Sequence, residues 1–223
     1  MKTIIYSLVI SILAMPVAMG LSYVNMKNSD VKNVNQDVKN TADGGSKINS
    51  GITAKGSTIA DSKIENTNQN VTNKAAGGST INSGISANNA TIKNSTVINT
   101  NKGVTNTADG GSKINTGVSV DNATIKNSTV INENSNMTNT ATGGSKINTG
   151  IAADNSTITN SKISNVNKDM TIKAEQGATV NTGLNLEGAT VQDAKISHSN
   201  TKVSNTAAGS GAKANSGIDL GGN

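Results

Sequence analysis

A single histidine, His198, and no cysteine narrow the reactive chemistry open to this chain of 223 residues. Nucleophilic catalysis needs a base within hydrogen-bond reach of a hydroxyl or thiol. No nucleophile–base pair can be built on His198 from the sequence. It falls in a file of asparagines spaced 33 residues apart, Asn33, Asn66, Asn99, Asn132 and Asn165, and reads as a replacement for one of them. Calcium is the next chemistry to weigh, since glycine-rich β-rolls hold it on repeated aspartates. Ala-Asp-Gly-Gly stands at 42–45 and 108–111, but the aspartate gives way to Ala76 in the second copy and Thr142 in the fourth. A shell of about six to eight oxygens does not survive that loss. Threonine files raise ice binding. The file Thr58, Thr91, Thr124, Thr157, Thr190 is unbroken, whereas the T-x-T pairs Thr105/Thr107 and Thr138/Thr140 are interrupted by Lys39, Lys74 and Lys173 in other copies. Threonine is also simply a good strand residue. Asn-x-Ser/Thr triplets such as Asn94-Ser95-Thr96 follow from composition, and a glycan on an inward asparagine would break any stack. No enzyme, catalytic residue, cofactor or metal site is expected.

What remains is a structural chemistry of amides and small apolar groups. The chain has no Phe or Trp, two Tyr, one Pro, and 33% apolar residues. That is well below the ordinary share, so a conventional core is excluded. Disorder does not follow, because disordered chains favour Pro, Glu and Gln, whereas here Ile and Val recur at regular places. All basic residues are lysines, and their even spread makes the net charge of +5 a solubilising surface. Specific nucleic-acid binding, which wants arginine forks or stacking aromatics, is not expected.

The first residues have the form of an export signal. Lys2 precedes an apolar run over 4–14, followed by Pro16 and the small residues Ala18-Met19-Gly20. Cleavage is placed after Gly20, which gives a signal peptide over 1–20, a short segment over 21–24, and a repeat domain over 25–223. The run is short for a spanning helix and no second one follows. The remainder is therefore expected outside the cell or at its surface, with no membrane span and no disulfides.

Self-similarity organises that remainder. Gly51, Gly84, Gly117, Gly150 and Gly183 are 33 apart and Gly217 follows after 34, so residues 25–223 make six periods with one insertion near Ser210. Apolar files run through them. One is Ile48, Ile81, Ile114, Ile147; another is Ile59, Ile92, Ile125, Ile158; others contain Val38, Ile52 and Val31. Two asparagine files are unbroken: Asn35, Asn68, Asn101, Asn134, Asn167, Asn200, and Asn49, Asn82, Asn115, Asn148, Asn181, Asn215. Alternation such as Val104-Thr-Asn106-Thr-Ala108 is a strand pattern, and Gly110-Gly111, Thr116-Gly117, Asp121-Asn122 and Lys102-Gly103 supply corners.

An all-β solenoid of six repeats accounts for these files. Copies stacked about 4.8 Å apart place Ile on Ile, and let each inward Asn amide bond those above and below. A lone inward amide would cost about 1–3 kcal/mol per unmet group. The two halves of a repeat superpose poorly, which favours one layer per repeat over two smaller coils. The sequence shows no capping segment at either end, so head-to-tail contact that does not close, and hence a filament, is the expected assembly.

The signal segment, the imperfect Asn/Gly/Ser-rich repeats and the short units Asn73-Lys-Ala75 and Asn106-Thr-Ala108 resemble the secreted functional amyloids of bacterial biofilms, of the curli and Fap types. The resemblance implies a one-layer-per-repeat β-solenoid, a dedicated export pore, and a role in matrix or adhesion alongside matrix polysaccharide. Glutamine is scarce where those repeats use it, with only Gln36, Gln69, Gln176 and Gln192 present, so no particular residue is carried over. A non-polymerising solenoid adhesin and an ice-binding protein are the alternatives.

Overall fold

β-branched residues alternating with polar ones, punctuated every few positions by Gly or Asn, fold here into short strands joined by tight corners. The computed structural model describes Leu8–Ile10, Met19–Ser22 and residues 25–219. Among these every regular element is a strand, and no helix is long and apolar enough to cross a membrane. All pairing within the repeats is parallel, between residues one period apart: Ile59 lies beside Ile92, Ile92 beside Ile125 and Ile125 beside Ile158. The register steps to 34 once, where Asn181 meets Asn215. Each repeat is therefore one layer of a β-solenoid. The coil of two smaller turns does not occur.

Each layer has four walls, seen along one turn of the chain over residues 63–93. The first wall is Lys63–Gln69 continued by Thr72–Ala75; the others are Thr80–Asn82, Ile85–Ser86 and Thr91–Lys93. Stacked layers turn these walls into four parallel sheets. In the last three layers the first wall is a single strand, Thr129–Ala141, Lys162–Glu175 and Lys195–Ala208.

Four bends per layer use the left-handed backbone, supplied by Gly, Asn and Asp except at Gln176 and Lys202. In the third layer these are Asn94, Gly103, Gly110 with Gly111, and Asn122. Asn and Asp tolerate this conformation because their short side chains bond locally. The bend at Asn127, repeated at Asp61, Asn94, Asn160 and Asp193, is not marked by glycine and escapes the sequence reading.

The fifth bend corrects an expectation. Gly51, Gly84, Gly117, Gly150 and Gly183 are not left-handed; what they require is space. A Cβ on Gly117 would stand 2.1 Å from the Gly150 carbonyl oxygen of the next layer. Gly217, in the sixth layer, has nothing nearer than 3.9 Å. Here the chain bends inward between the second and third walls, and only glycine lets successive layers close over the fold.

The interior divides in two. One apolar stack holds the Ile52, Ile59 and Ile64 files with Ala87, Val120 and Leu186; the other holds the Ala42 and Ile81 files. A third, smaller stack of Val38, Val71, Val104, Met137 and Met170 fills the bend of the first wall. Buried isoleucines and valines each contribute about 1.5–3 kcal/mol, so no single layer is held by its apolar groups alone.

The signal segment expected over 1–20 falls mostly outside the described residues, as do 23–24. Of its described pieces, Leu8–Ile10 pairs with Val31, Lys32 and Asn33, and Met19–Ser22 pairs with Ile52–Lys55 at the one-period spacing.

Candidate functional site

Between the two apolar stacks runs a polar spine. In the third layer Asn99 and Asn101, two apart on the first wall and so facing the same way, both donate from Nδ2 to the Thr116 carbonyl, at 2.6 and 2.9 Å. Asn106, further along the same wall, donates to the Thr116 hydroxyl at 3.0 Å. Three amides thus converge on the residue preceding the close-packed glycine. The same arrangement joins Asn33, Asn35 and Asn40 to Ser50, and Asn66, Asn68 and Asn73 to Ser83. The inward bend is held by this clasp: its carbonyl points into the interior, and the opposite wall supplies the donors that satisfy it.

The second hydrogen of each amide runs along the axis. Asn68 donates to Asn101 Oδ1 at 2.7 Å, Asn101 to Asn134 at 2.8 Å, Asn134 to Asn167 at 2.8 Å and Asn167 to Asn200 at 2.8 Å. The Asn33 and Asn40 files run alike, each layer donating to the next in chain order. In the Asn33 and Asn35 files the amide orientation is fixed by chemistry, because Nδ2 also faces a carbonyl that only accepts and a flip would set oxygen against oxygen; the Asn40 file, which meets a hydroxyl, runs in the same direction. From the first layer through the fifth these asparagines are at most 2% exposed; Asn200, in the sixth, is exposed.

The Asn49 file is different. It forms an inter-layer ladder too, Asn115 donating to Asn82 at 2.9 Å and Asn148 to Asn115 at 3.0 Å, but its members are only half-buried and donate toward the preceding layer. It lines a groove along the axis, outside the inward bend, rather than the interior. The sequence treats the two files as equivalent because both are unbroken; only the fold separates them.

That groove, of about 650 Å³, has Lys113 and Lys146 on one side and Ser119, Asp121 and Asp154 on the other. Burial pushes the Asp121 carboxyl up, against a partial offset from the Ser119 hydroxyl. Burial also raises Asp154, helped by the negative charges of Asp121 and Glu187.

The other candidates fall into place individually. The Ile59 file and Ile81, Ile114 and Ile147 are buried, with Ile48 partly so. Asp109 of the second Ala-Asp-Gly-Gly accepts from the Thr142 hydroxyl at 2.6 Å and from the Gly110 N–H at 2.8 Å, which holds its carboxyl below the usual range. Thr91 and Thr124 are exposed on the fourth wall, each two residues from an exposed lysine, Lys93 or Lys126. His198 takes the Asn place in the sixth layer, Nδ1 accepting from Asn165 Nδ2 at 3.2 Å and Nε2–H donating to the Ser216 carbonyl.

Two parts of the spine escape the sequence reading. The Asn40, Asn73, Asn106, Asn139 file is broken by Ile172, and so is not singled out as a ladder; the break is real, because Asn139 Nδ2 keeps only its clasp to the Thr149 hydroxyl, at 3.1 Å, while its Oδ1 still accepts from Asn106. The clasp residue itself has a legible signal. Ser50, Ser83, Thr116, Thr149, Thr182 and Ser216 always carry a hydroxyl just before the glycine.

The fold and its spine define the class: an all-β solenoid repeat protein. No family model matches the chain, and no curated protein matches it. Among solved structures it is similar to HetL, a pentapeptide repeat protein involved in heterocyst differentiation regulation from the cyanobacterium Nostoc sp. strain PCC 7120. That likeness has 8% identity over 78% of this chain and 87% of the other, with a TM-score of 0.11, and carries no argument.

Proposed function

We propose that this is a secreted structural repeat protein that assembles head to tail into extracellular fibres of matrix or adhesion, without enzymatic activity. The carrying observation is the sixth layer. Val191 and Ile218 are 40% and 49% exposed, whereas Ile158 and Leu184, their counterparts one layer earlier, are fully buried. An apolar file left uncovered at its end, in a sheet whose edge groups carry no further strand among the described residues, favours another layer of the same kind. Another copy of the chain supplies such a layer, and a contact between unlike ends repeats without closing. The partners are then the chain itself, an export pore during secretion, and matrix polysaccharide around the fibre. Cleavage after Gly20 belongs to this reading.

Electron microscopy of the exported chain after a day in buffer tests it. Unbranched fibres are expected; a monomer whose size is independent of concentration would instead favour an adhesin working through its groove.

A further inference from the structure

Resting on that reading, we propose that the fibre contact has one polarity and one register: Asn200 and Asn205 of one copy donate to Asn35 and Asn40 of a second copy. Asn40 is 1% exposed, and its Nδ2 is used by the Ser50 hydroxyl at 3.0 Å and by Asn73 Oδ1 at 2.8 Å. Its own Oδ1 is buried and has no hydrogen-bond partner among the described residues. One layer up, the same oxygen of Asn73 is satisfied by Asn40, and that of Asn106 by Asn73. A buried acceptor aimed out of the first layer calls for a donor from a layer below.

The opposite end offers that donor. Asn200 and Asn205 clasp the Ser216 carbonyl and hydroxyl just as their counterparts clasp Thr116, which leaves the second hydrogen of each amide for a layer above. His198 does not contribute, because its one N–H is already given to Ser216. One period beyond Asn200, Val203 and Asn205 come Asn35, Val38 and Asn40 of the next copy, so amide meets amide and valine meets valine. Val191 then covers Met26, and Ile218 covers Ile52. The reverse contacts fail: first layer on first layer sets oxygens against oxygens, and sixth on sixth sets donors against donors. Leu8–Ile10 and Met19–Ser22 occupy parts of the first-layer edge, on Val31, Lys32 and Asn33 and on Ile52–Lys55, and cleavage after Gly20 removes all of this but Leu21 and Ser22.

Paired cysteines read the contact directly. Thr41 and Thr206 are exposed on the first wall, and the proposed register brings them one layer apart. A spacing of about 4.8 Å between neighbouring strands lies within the Cα range of a disulfide. The full chain, expressed from Met1 and exported, is made as Thr41→Cys, Thr206→Cys and the double variant. On mild oxidation the double variant is expected to give a reducible ladder of dimers, trimers and larger species, and each single variant none. Adding Asn205→Asp should cut the ladder and fibre growth at least about tenfold, equivalent to about 1.4 kcal/mol. Ser204→Asp, the same charge on the outward neighbour, should not. Covalent dimers from a single variant, or a ladder indifferent to Asn205→Asp, would overturn the polarity while leaving the fibre intact. Folded monomer without fibres in every variant would overturn both.

Discussion

Asparagine in this molecule is a structural element, because one amide can satisfy a turn carbonyl and its neighbour in the next layer together. Removing it from the buried spine leaves several groups unmet. Asn101→Leu strips a donor from the Thr116 carbonyl and from Asn134, and an acceptor from Asn68. A loss of about 3 kcal/mol is expected in chemical denaturation. Asn115→Leu, in the half-exposed file, should cost about 1 kcal/mol, since water reaches its partners. Thr105→Ser, on the outer face, should stay within about 0.5 kcal/mol. The groove carboxyls act in the opposite sense. Asp121 and Asp154 hold protons more tightly in the fold than in the unfolded chain. Their contribution to stability is therefore largest at acid pH and is lost as pH rises above the ordinary carboxylate range. The double variant Asp121→Asn, Asp154→Asn should melt higher than the parent at pH 7, with the gap closing toward pH 4. An unchanged gap would remove desolvation as the cause.

Strands and bends were legible in proportion to how locally their causes act. Alternation and β-branching at Val97 or Ile125 report inward faces directly, so the apolar files could be read from spacing alone. Left-handed bends were visible where glycine marks them, at Gly103 and Gly110, and missed where asparagine does, at Asn127. The inward bend was the hardest case. The glycine file was plain, but its reason lies in the carbonyl of a residue 33 positions on, which no local pattern records. Substitution separates the two glycine roles. Gly117→Ala places a Cβ against the backbone of the next layer, which cannot give way without parting the stack, and loss of the folded far-UV spectrum or a melting temperature lower by tens of degrees is expected. Gly111→Ala meets nothing within 4 Å and carries only the cost of its left-handed backbone, about 1 kcal/mol. Equal melting points for the two would show that close layer contact is not what the Gly117 file preserves.

For the whole molecule, stability comes from the contact between layers, and the proposed assembly reuses that contact. Each layer is too poor in apolar groups to stand alone, so the interface between layers supplies the stabilisation, as in other one-dimensional repeat arrays. In the proposed fibre the interface between copies is one more such contact. The sequence disclosed this logic through its period. It did not disclose the two opposed amide ladders, because the direction of donation depends on which face of the chain each asparagine occupies. If the fibre continues the solenoid, six layers at about 4.8 Å give a subunit rise of about 29 Å. Cryo-electron microscopy of the assembled fibre measures that rise together with the layer spacing across the junction. Parallel layers at unbroken spacing are expected, with Asn205 of one copy beside Asn40 of the next. Rods joined side by side, or a junction where the layer spacing lapses, would contradict it.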